Sequence, residues 1–289
     1  MKTGIVILNY NSIFLTRPLV EKCISFSSLD YIVVVDNNSE DDCNTLKLLS
    51  SKVIVINRKR NEGYAVGNND GFRYLKEKCG CDIAFLANPD VLFSEKEIID
   101  IRDFIINNPE YCIVSSKRED NSYGKNPLQF WKQPNYFECL LEASYLFRRY
   151  NYRRRRLKSN SIINVASPYI DVDVVPGAFF GCDLNKMKQI NYLDEFTFLW
   201  FEENCVSAKC DKAGYKRALL LGEHLYSHNH ISKGRGNRLF SKYNKSKEYY
   251  AITYLHLGFF RMNLLRIADF FSNFEQKCLN ILGTVLKHR

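Results

Sequence analysis

Residues 4–11 read GIVILNYN, an unbroken apolar run that ends in a polar tripeptide. Such a run fits a strand that is buried on both faces of a parallel sheet. The same pattern recurs at residues 31–35, 53–57 and 82–87. Helical patterns lie between these runs, at residues 15–27, at residues 41–50 and in a stretch that ends at Lys78. This alternation predicts an α/β fold with a doubly wound, mostly parallel sheet.

Polar residues follow three of the predicted strands directly. Asn9 follows the first strand, Asp36 follows the second, and Asp90 closes the Asn-Pro-Asp turn after the fourth. In doubly wound sheets, ligands bind outside the carboxyl ends of the strands, which meet at one edge. The positions of these side chains therefore predict a nucleotide site at that edge.

The rest of the chain is less regular. Residues 116–168 are aromatic and basic, and we expect an irregular insertion that covers the site. A further strand is predicted at residues 171–175, followed by a helix that stops at Gly214, a frequent C-terminal residue of helices. Residues 249–286 are expected to form a helical C-terminal extension.

Composition limits the class of protein. The chain has 289 residues, of which 46% are hydrophobic and 25% charged, as in ordinary globular proteins. Its ten cysteines follow no secretory signal pattern, which favours reduced thiols in a cytoplasmic protein. No apolar run reaches the roughly 18 residues that suggest a membrane-spanning helix.

The net charge of +9 favours anionic partners, and much of it is local. Seven basic residues lie within residues 148–158, interleaved with aromatic side chains. One interpretation is a solvated surface, and the other is contact with anionic lipid headgroups at the inner face of a membrane. No nucleic-acid motif accompanies the run, so nucleic acid is not an expected partner. The C-terminal helix, with alternating apolar and basic residues, either lies on a membrane or packs on the main domain.

Carboxylates and histidines supply the candidate chemistry. Asp90, at a strand end, can hold a divalent cation that binds a diphosphate. Glu202 and Glu203 precede a predicted helix, where they either cap it or provide a general base in an aromatic pocket. Among the late histidines, His228 and His230 are alternatives for a second metal ligand.

These motifs, in this order, resemble the family-two glycosyltransferases of GT-A fold, in particular the rhamnosyltransferase-like branch of bacterial surface-polysaccharide synthesis. The resemblance covers about residues 4–250. It rests on residues 6–11, 34–39, 61–71, 86–91, 175–178 and 193–203. It implies a GT-A domain over residues 1–245 and a helical region over 246–289. Within the domain, residues 1–115 would bind nucleotide, 116–170 would cover the site, and 171–245 would form the acceptor and catalytic half.

The resemblance also assigns roles to residues. Glu203 is implied as the catalytic base, and Asp90 with His228 as ligands of Mn²⁺ or Mg²⁺. The acceptor side is implied to be Gly177, Ala178 and Glu202. The implied contacts of the nucleotide diphosphate-sugar donor are Asn9, Tyr10, Asn11, Asp36, Asn38, Asn61, Gly63, Gly67, Asn69 and Asn88. The implied reaction is inverting sugar transfer to a glycan or lipid-linked acceptor.

Two departures from the family pattern concern the acidic segment. The usual Glu-Asp pair is Glu202-Glu203 here, and Cys205 and Lys209 replace a later aspartate and arginine. These changes favour one alternative, a non-catalytic glycan- or partner-binding protein that kept the fold. A nicotinamide-dependent oxidoreductase or a sugar nucleotidyltransferase would need a glycine-rich turn after the first strand, and residues 9–12 contain no glycine.

Overall fold

A computed structural model describes residues 1–119, 127–163, 167–222, 226–228 and 237–287. The strands are β1 (Thr3–Asn9), β2 (Tyr31–Asp36), β3 (Val53–Asn57), β4 (Ile83–Ala87), β5 (Val91–Leu92), β6 (Tyr111–Ser116), β7 (Arg118–Glu119), β8 (Tyr169–Asp171), β9 (Phe179–Asp183), β10 (Lys216–Leu220) and β11 (Tyr226–His228). The α-helices are α1 (Ile13–Ile24), α2 (Tyr64–Glu77), α3 (Glu95–Asn107), α4 (Tyr136–Leu141), α5 (Tyr145–Ile162), α6 (Leu184–Gln189), α7 (Glu202–Lys212), α8 (Asn237–Thr253) and α9 (Phe259–Lys287).

Eight of these strands form a central sheet in the order β3-β2-β1-β4-β9-β6-β10-β8. Six run in one direction, while β9 and β8 are antiparallel to their neighbours. A smaller sheet has the order β5-β11-β7. The predicted fold class, an α/β fold built on a mostly parallel sheet, is confirmed.

Helices cover both faces of the central sheet. Alternate residues of a strand point to opposite faces, so Ile5 and Ile7 pack with α1 and α3 on one side. Val6 and Leu8 pack with α2, α6 and α7 on the other. Because both faces are buried, the strands read as continuous apolar runs, which is why their positions were predictable.

Two predicted elements differ in the structure. Residues 41–50 contain a short 3₁₀ helix, Cys43–Leu48, in place of an α-helix. The predicted strand at 171–175 lies earlier, as β8, because only residues 169–171 pair with β10. The chain then turns inward, and Val174 forms an isolated bridge with Trp131.

The segment predicted to be irregular, residues 116–168, contains α4 and α5. Asn135 begins α4 with a capping box, in which its side chain and that of Glu138 satisfy each other's backbone N–H groups. Ser144 caps α5 by accepting a hydrogen bond from the Phe147 amide at 3.3 Å. These caps permit helices in a segment whose composition suggested a loop.

A third apolar cluster joins α4, α7, α8 and α9. Its centre is formed by Cys139, Phe201, Cys205, Tyr250, Ala251, Met262 and Leu265. The predicted boundary between residues 245 and 246 falls inside α8, and that between 115 and 116 falls inside β6. Among the described residues, no helix is both long and apolar enough to cross a bilayer.

Candidate active site

The carboxyl ends of β1, β2 and β3 lie side by side. Asn9 pairs in register with Asp36, and Asp36 pairs with Asn57, so three polar residues stand at one level. The Asn9 side chain is completely buried and bonds to the hydroxyls and carboxylate of Ser12, Thr16, Ser39 and Asp41. Its amide therefore fixes the geometry of this edge.

The loops after β1 and β2 each contain an asparagine with a positive φ angle, and a hydrogen bond connects the two loops. Asn11 and Asn38 have positive φ angles of 51° and 64°, a conformation that asparagine tolerates better than most residues. The Asn11 side-chain oxygen accepts a hydrogen bond from the Glu40 amide at 2.8 Å. Tyr10 beside it is 52% exposed, so its ring is accessible to a ligand.

Gly63, at the start of α2, lies against the backbone of residue 198. Its φ is +113°, and a Cβ atom there would come within 2.6 Å of the Phe198 carbonyl oxygen. The Asn61 side-chain oxygen accepts hydrogen bonds from the Gly63 amide and the Asn37 side chain, both at 3.0 Å. Gly63 and Asn61 thus shape the loop by close backbone contact.

Arg58 was not singled out from the sequence, yet it organises this loop. Its guanidinium donates to Asn37 at 2.8 Å, to Glu62 at 2.7 Å and to Asp70 at 2.8 Å. The side chain is only 9% exposed. The sequence feature that could have identified Arg58 is its position just after β3, at the same sheet edge.

Two residues that the resemblance placed at the donor, Gly67 and Asn69, make contacts within the protein. A Cβ atom on Gly67 would meet the Leu8 side chain at 2.4 Å, so this glycine lets α2 pack closely on β1. The Asn69 amide is fully buried and bonds to the Leu193 backbone and the Glu195 carboxylate. Both residues are buried in α2, where they pack against other parts of the protein.

Asp90 and His228 meet in the small sheet. His228 pairs with Val91, which places the imidazole Nε2 3.1 Å from Asp90 Oδ1. The Asp90 side chain is 9% exposed and that of His228 is 13% exposed. Carboxylate oxygen and imidazole nitrogen both ligate manganese, so this pair fits a divalent cation that also binds a diphosphate. The alternative ligand, His230, lies outside the described residues.

A second candidate metal group lies at the end of β2. Within the described residues, Asp36, Asp41 and Cys43 are the one set of three such side chains whose ligand atoms lie within 4.8 Å of each other. However, both Asp41 carboxylate oxygens accept hydrogen bonds, from Asn9 and from the Ile13 amide. Burial raises the pKa of the Cys43 thiol to about 12, and sulfur is a soft ligand that suits Mn²⁺ or Mg²⁺ less well than oxygen does. We therefore favour the pair of Asp90 and His228.

Tyr64 connects the two halves of the site. Its hydroxyl lies 2.8 Å from Asn88 Oδ1 and 2.8 Å from the Gly177 carbonyl oxygen. Burial and the neighbouring carboxylates of Glu202, Glu203 and Asp90 raise its pKa well above the ordinary value, so it remains a donor. The sequence did not indicate this role.

The acidic pair opens α7. Glu203 Oε1 accepts a hydrogen bond from the Gly177 amide at 3.2 Å, and a Cβ atom on Gly177 would come within 2.6 Å of the same oxygen. The Ala178 carbonyl accepts a hydrogen bond from the Asn88 amide at 2.9 Å. Gly177, Ala178 and Glu203 are therefore brought together beside the Asn88-Pro89-Asp90 turn.

Burial raises the pKa of both glutamates. For Glu202, desolvation and the charge of Glu203 act together and raise the pKa well above the ordinary range. For Glu203, desolvation raises the pKa, while backbone N–H groups, including that of Gly177, oppose the shift. Burial therefore disfavours the charge of both carboxyl groups, and most strongly that of Glu202.

The segment before α7 is held by α8. The Asp194 carboxylate accepts hydrogen bonds from the hydroxyls of Tyr249 at 3.0 Å and Tyr254 at 2.5 Å. Trp200 and Phe201 have positive φ angles of 67° and 66°, an uncommon conformation that costs about 1–3 kcal/mol each. Aromatic contacts with α8 compensate for this strain.

Cys205 and Lys209, which depart from the family pattern, have structural surroundings. Cys205 is fully buried in the third apolar cluster. Lys209 donates to the carbonyl oxygens of Asn191 and Tyr192, at 3.1 and 2.8 Å. Among the described residues, neither side chain forms a hydrogen bond with the Gly177 turn.

Comparison with known proteins decides the family. The model of glycosyl transferase family 2 matches residues 4–170, more than half of the chain. The chain belongs to glycosyl transferase family 2. This family-2 glycosyltransferase matches no curated protein sequence.

Solved structures share the fold of this family-2 glycosyltransferase. GalNAc-T7, crystallised with UDP, GalNAc and Mn²⁺, aligns over 99% of this chain and 58% of its own, with a TM-score of 0.59 and 14% identity. S. aureus TarS aligns over 95% of this chain and 44% of its own, with a TM-score of 0.52 and 14% identity. The chain thus spans about half the length of these two proteins, and the likeness supports the GT-A fold.

Proposed function

We propose that this family-2 glycosyltransferase transfers a sugar from a nucleoside diphosphate donor to a glycan or lipid-linked acceptor, with inversion at the anomeric carbon. One observation carries the proposal. The Tyr64 hydroxyl and the Gly177 turn connect the acidic pair to the Asn88-Pro89-Asp90 turn, so the proposed base lies near the proposed diphosphate site. A single-displacement transfer needs these two parts next to each other.

In the proposed reaction, residues of both halves of the site take part. Glu203 accepts the proton of the acceptor hydroxyl, and that oxygen attacks the anomeric carbon. The bond from this carbon to the diphosphate breaks, and its electron pair leaves with the nucleoside diphosphate. Asp90 and His228 would hold Mn²⁺ or Mg²⁺, which when bound neutralises charge on the diphosphate. Tyr64 and Gly177 orient the carboxylate against this site.

Tyr10, Asn11, Asp36 and Asn38 are the proposed contacts of the nucleoside, because they lie at or beside the ends of β1 and β2. We assign Asn9, Asn61 and Gly63 an indirect role, in which they hold the loops at that sheet edge in position. On the motif resemblance alone, we further propose a rhamnosyltransferase-like role in surface-polysaccharide synthesis, at the cytoplasmic face of a membrane.

The test of the metal site is titration calorimetry with a nucleoside diphosphate, in Mn²⁺ and in chelator. We expect Mn²⁺ to strengthen binding to the wild type, and Asp90→Ala to abolish that strengthening. Asp103→Ala, an exposed carboxylate on α3, is the matched control and should behave as the wild type. Equal affinity of the wild type in chelator and in Mn²⁺ would overturn the metal role.

The test of catalysis is release of nucleoside diphosphate from a panel of nucleotide sugars. A turnover that needs both a donor and a divalent ion supports the enzyme. Donor binding without transfer or hydrolysis, across the panel and with acceptors present, would instead support the non-catalytic binding protein. The departures at residues 203, 205 and 209 favour that second candidate.

A further inference from the structure

Helix α9 has one face that is buried against the protein and an opposite, apolar face that is exposed. Met262, Leu265, Asp269 and Ser272 are buried against the protein. On the opposite side, a stripe with the spacing of one helix face consists of Phe260, Leu264, Ile267 and Phe271. Phe260 is 87% exposed and Phe271 is 62% exposed. Large side chains that protrude in this way mark an interaction surface.

Helix α5 supplies positive charge beside this stripe. Its 18 residues contain seven basic side chains and no acidic one. Arg155 pairs with Glu142 at 2.7 Å, whereas Arg149, Arg153 and Lys158 are exposed. Leu146, Tyr150 and Leu157 are exposed between them. The outer face of α5 is therefore both cationic and apolar.

The two helices form one structural unit. Glu275 of α9 accepts hydrogen bonds from the Ser144 hydroxyl at 3.0 Å and the Leu146 amide at 3.4 Å, at the start of α5. A buried pair, Lys247 and Asp269, joins α9 to α8 at 2.5 Å. The exposed faces of α5 and α9 are thus held on the domain that carries the candidate active site.

We propose that this surface, the outer faces of α5 and α9, docks on a bilayer that contains anionic lipid. Charge decides the occupant, because a strongly cationic helix complements anionic headgroups, while the neighbouring aromatic stripe suits the headgroup–acyl boundary. A soluble acidic protein would not explain protruding phenylalanines on an adjacent helix. The inference rests on the proposed function for its purpose, since a lipid-linked acceptor lies in such a bilayer.

Flotation with vesicles tests the proposal, using phosphatidylcholine alone or mixed with phosphatidylglycerol, at low and high salt. We expect the wild type to float with the mixed vesicles at low salt and less at high salt, because salt screens the attraction. The charge variant Arg149→Gln, Arg153→Gln, Lys158→Gln should partition on the order of 100-fold more weakly, at about fivefold for each charge. Its control is Lys78→Gln, Lys188→Gln, Lys212→Gln, which removes three exposed charges elsewhere.

The stripe is tested by Phe260→Ser with Phe271→Ser, which should abolish flotation. The matched control is Phe14→Ser with Leu48→Ser, two exposed apolar residues outside this surface. Circular dichroism and melting confirm that each variant is folded. No flotation of the wild type with mixed vesicles at low salt, or full flotation of the stripe variant, would overturn the proposal.

Sedimentation velocity identifies the other possible occupant. A dimer that the stripe variant dissociates, together with absent flotation, would assign the surface to a second copy of the chain and overturn the membrane assignment. Flotation requires no catalysis, and donor hydrolysis in solution requires no vesicle. Docking and the proposed function can therefore fail independently.

Discussion

Glu203 is the proposed general base, and its Oε1 accepts a hydrogen bond from the Gly177 amide. We expect Glu203→Gln to keep donor affinity but to lower the rate of transfer by at least about 100-fold, the usual loss for a general base. Glutamine has nearly the same shape and cannot accept the proton. The measurement is single-turnover transfer together with donor titration, and Glu77→Gln, on the exposed end of α2, is the control. If Glu202→Gln abolished transfer while Glu203→Gln retained it, the general base would be Glu202.

The buried partner, Glu202, predicts a pH dependence of stability. Its pKa is raised well above the ordinary 4.5 in the folded protein. Its stabilising contribution is therefore complete below about pH 4.5 and is lost as pH rises toward the folded pKa. Glu202→Gln, which resembles the protonated form, removes this dependence.

We thus expect Glu202→Gln to gain stability relative to the wild type as pH rises from 4.5 to 8. Urea denaturation at several pH values measures this difference, again with Glu77→Gln as the control. Parallel pH profiles of Glu202→Gln and the wild type would show that burial does not perturb this carboxyl group.

At the scale of elements, helix α8 holds the segment that precedes the acidic pair. Tyr249, in α8, and Tyr254, just after it, both donate to the Asp194 carboxylate. Burial raises the pKa of Tyr249 to about 12, so its hydroxyl stays a donor at neutral pH. The Ser246 hydroxyl also donates to the Leu199 carbonyl at 3.1 Å. Residues 194–201 therefore depend on α8 for their conformation.

Replacing both tyrosines tests this dependence. Tyr249→Phe with Tyr254→Phe removes two hydrogen bonds to a carboxylate, each worth about 1.5–3 kcal/mol. We expect a loss of at least about 3 kcal/mol in the free energy of unfolding, and a lower rate of transfer. Chemical denaturation and the transfer assay measure the two effects, with the exposed Tyr150→Phe as the control. Unchanged stability would show that aromatic packing alone holds the segment.

At the scale of the whole molecule, the proposed donor site spans the central sheet edge and the small sheet. A ligand that binds only the folded state adds about 2.7 kcal/mol at 100 times its dissociation constant. We expect a nucleoside diphosphate with Mn²⁺ to raise the melting temperature by several degrees. The nucleoside without phosphates should raise it much less. An equal rise in chelator would contradict a site that joins metal and diphosphate.

The sequence alone determined the fold class and the family. Residues of a parallel strand buried on both faces must be apolar, so β1 to β4 are visible as runs, and the polar residues after them fall at one edge. The order of motifs then indicated a family-two glycosyltransferase, which the family match confirms. The specific roles assigned to residues 90, 203 and 228 remain predictions.

Only the tertiary structure decided how these pieces meet. Tyr64 bridges Asn88 and Gly177, although Tyr64 and Gly177 lie 113 positions apart, and no local pattern encodes such a contact. The structure also showed what Gly67 and Asn69 contact within the protein, and that α8 holds the segment before α7. The structure further showed which face of α9 is buried and which is exposed. Periodicity reveals that a helix has an apolar face, but what covers that face depends on packing between distant segments.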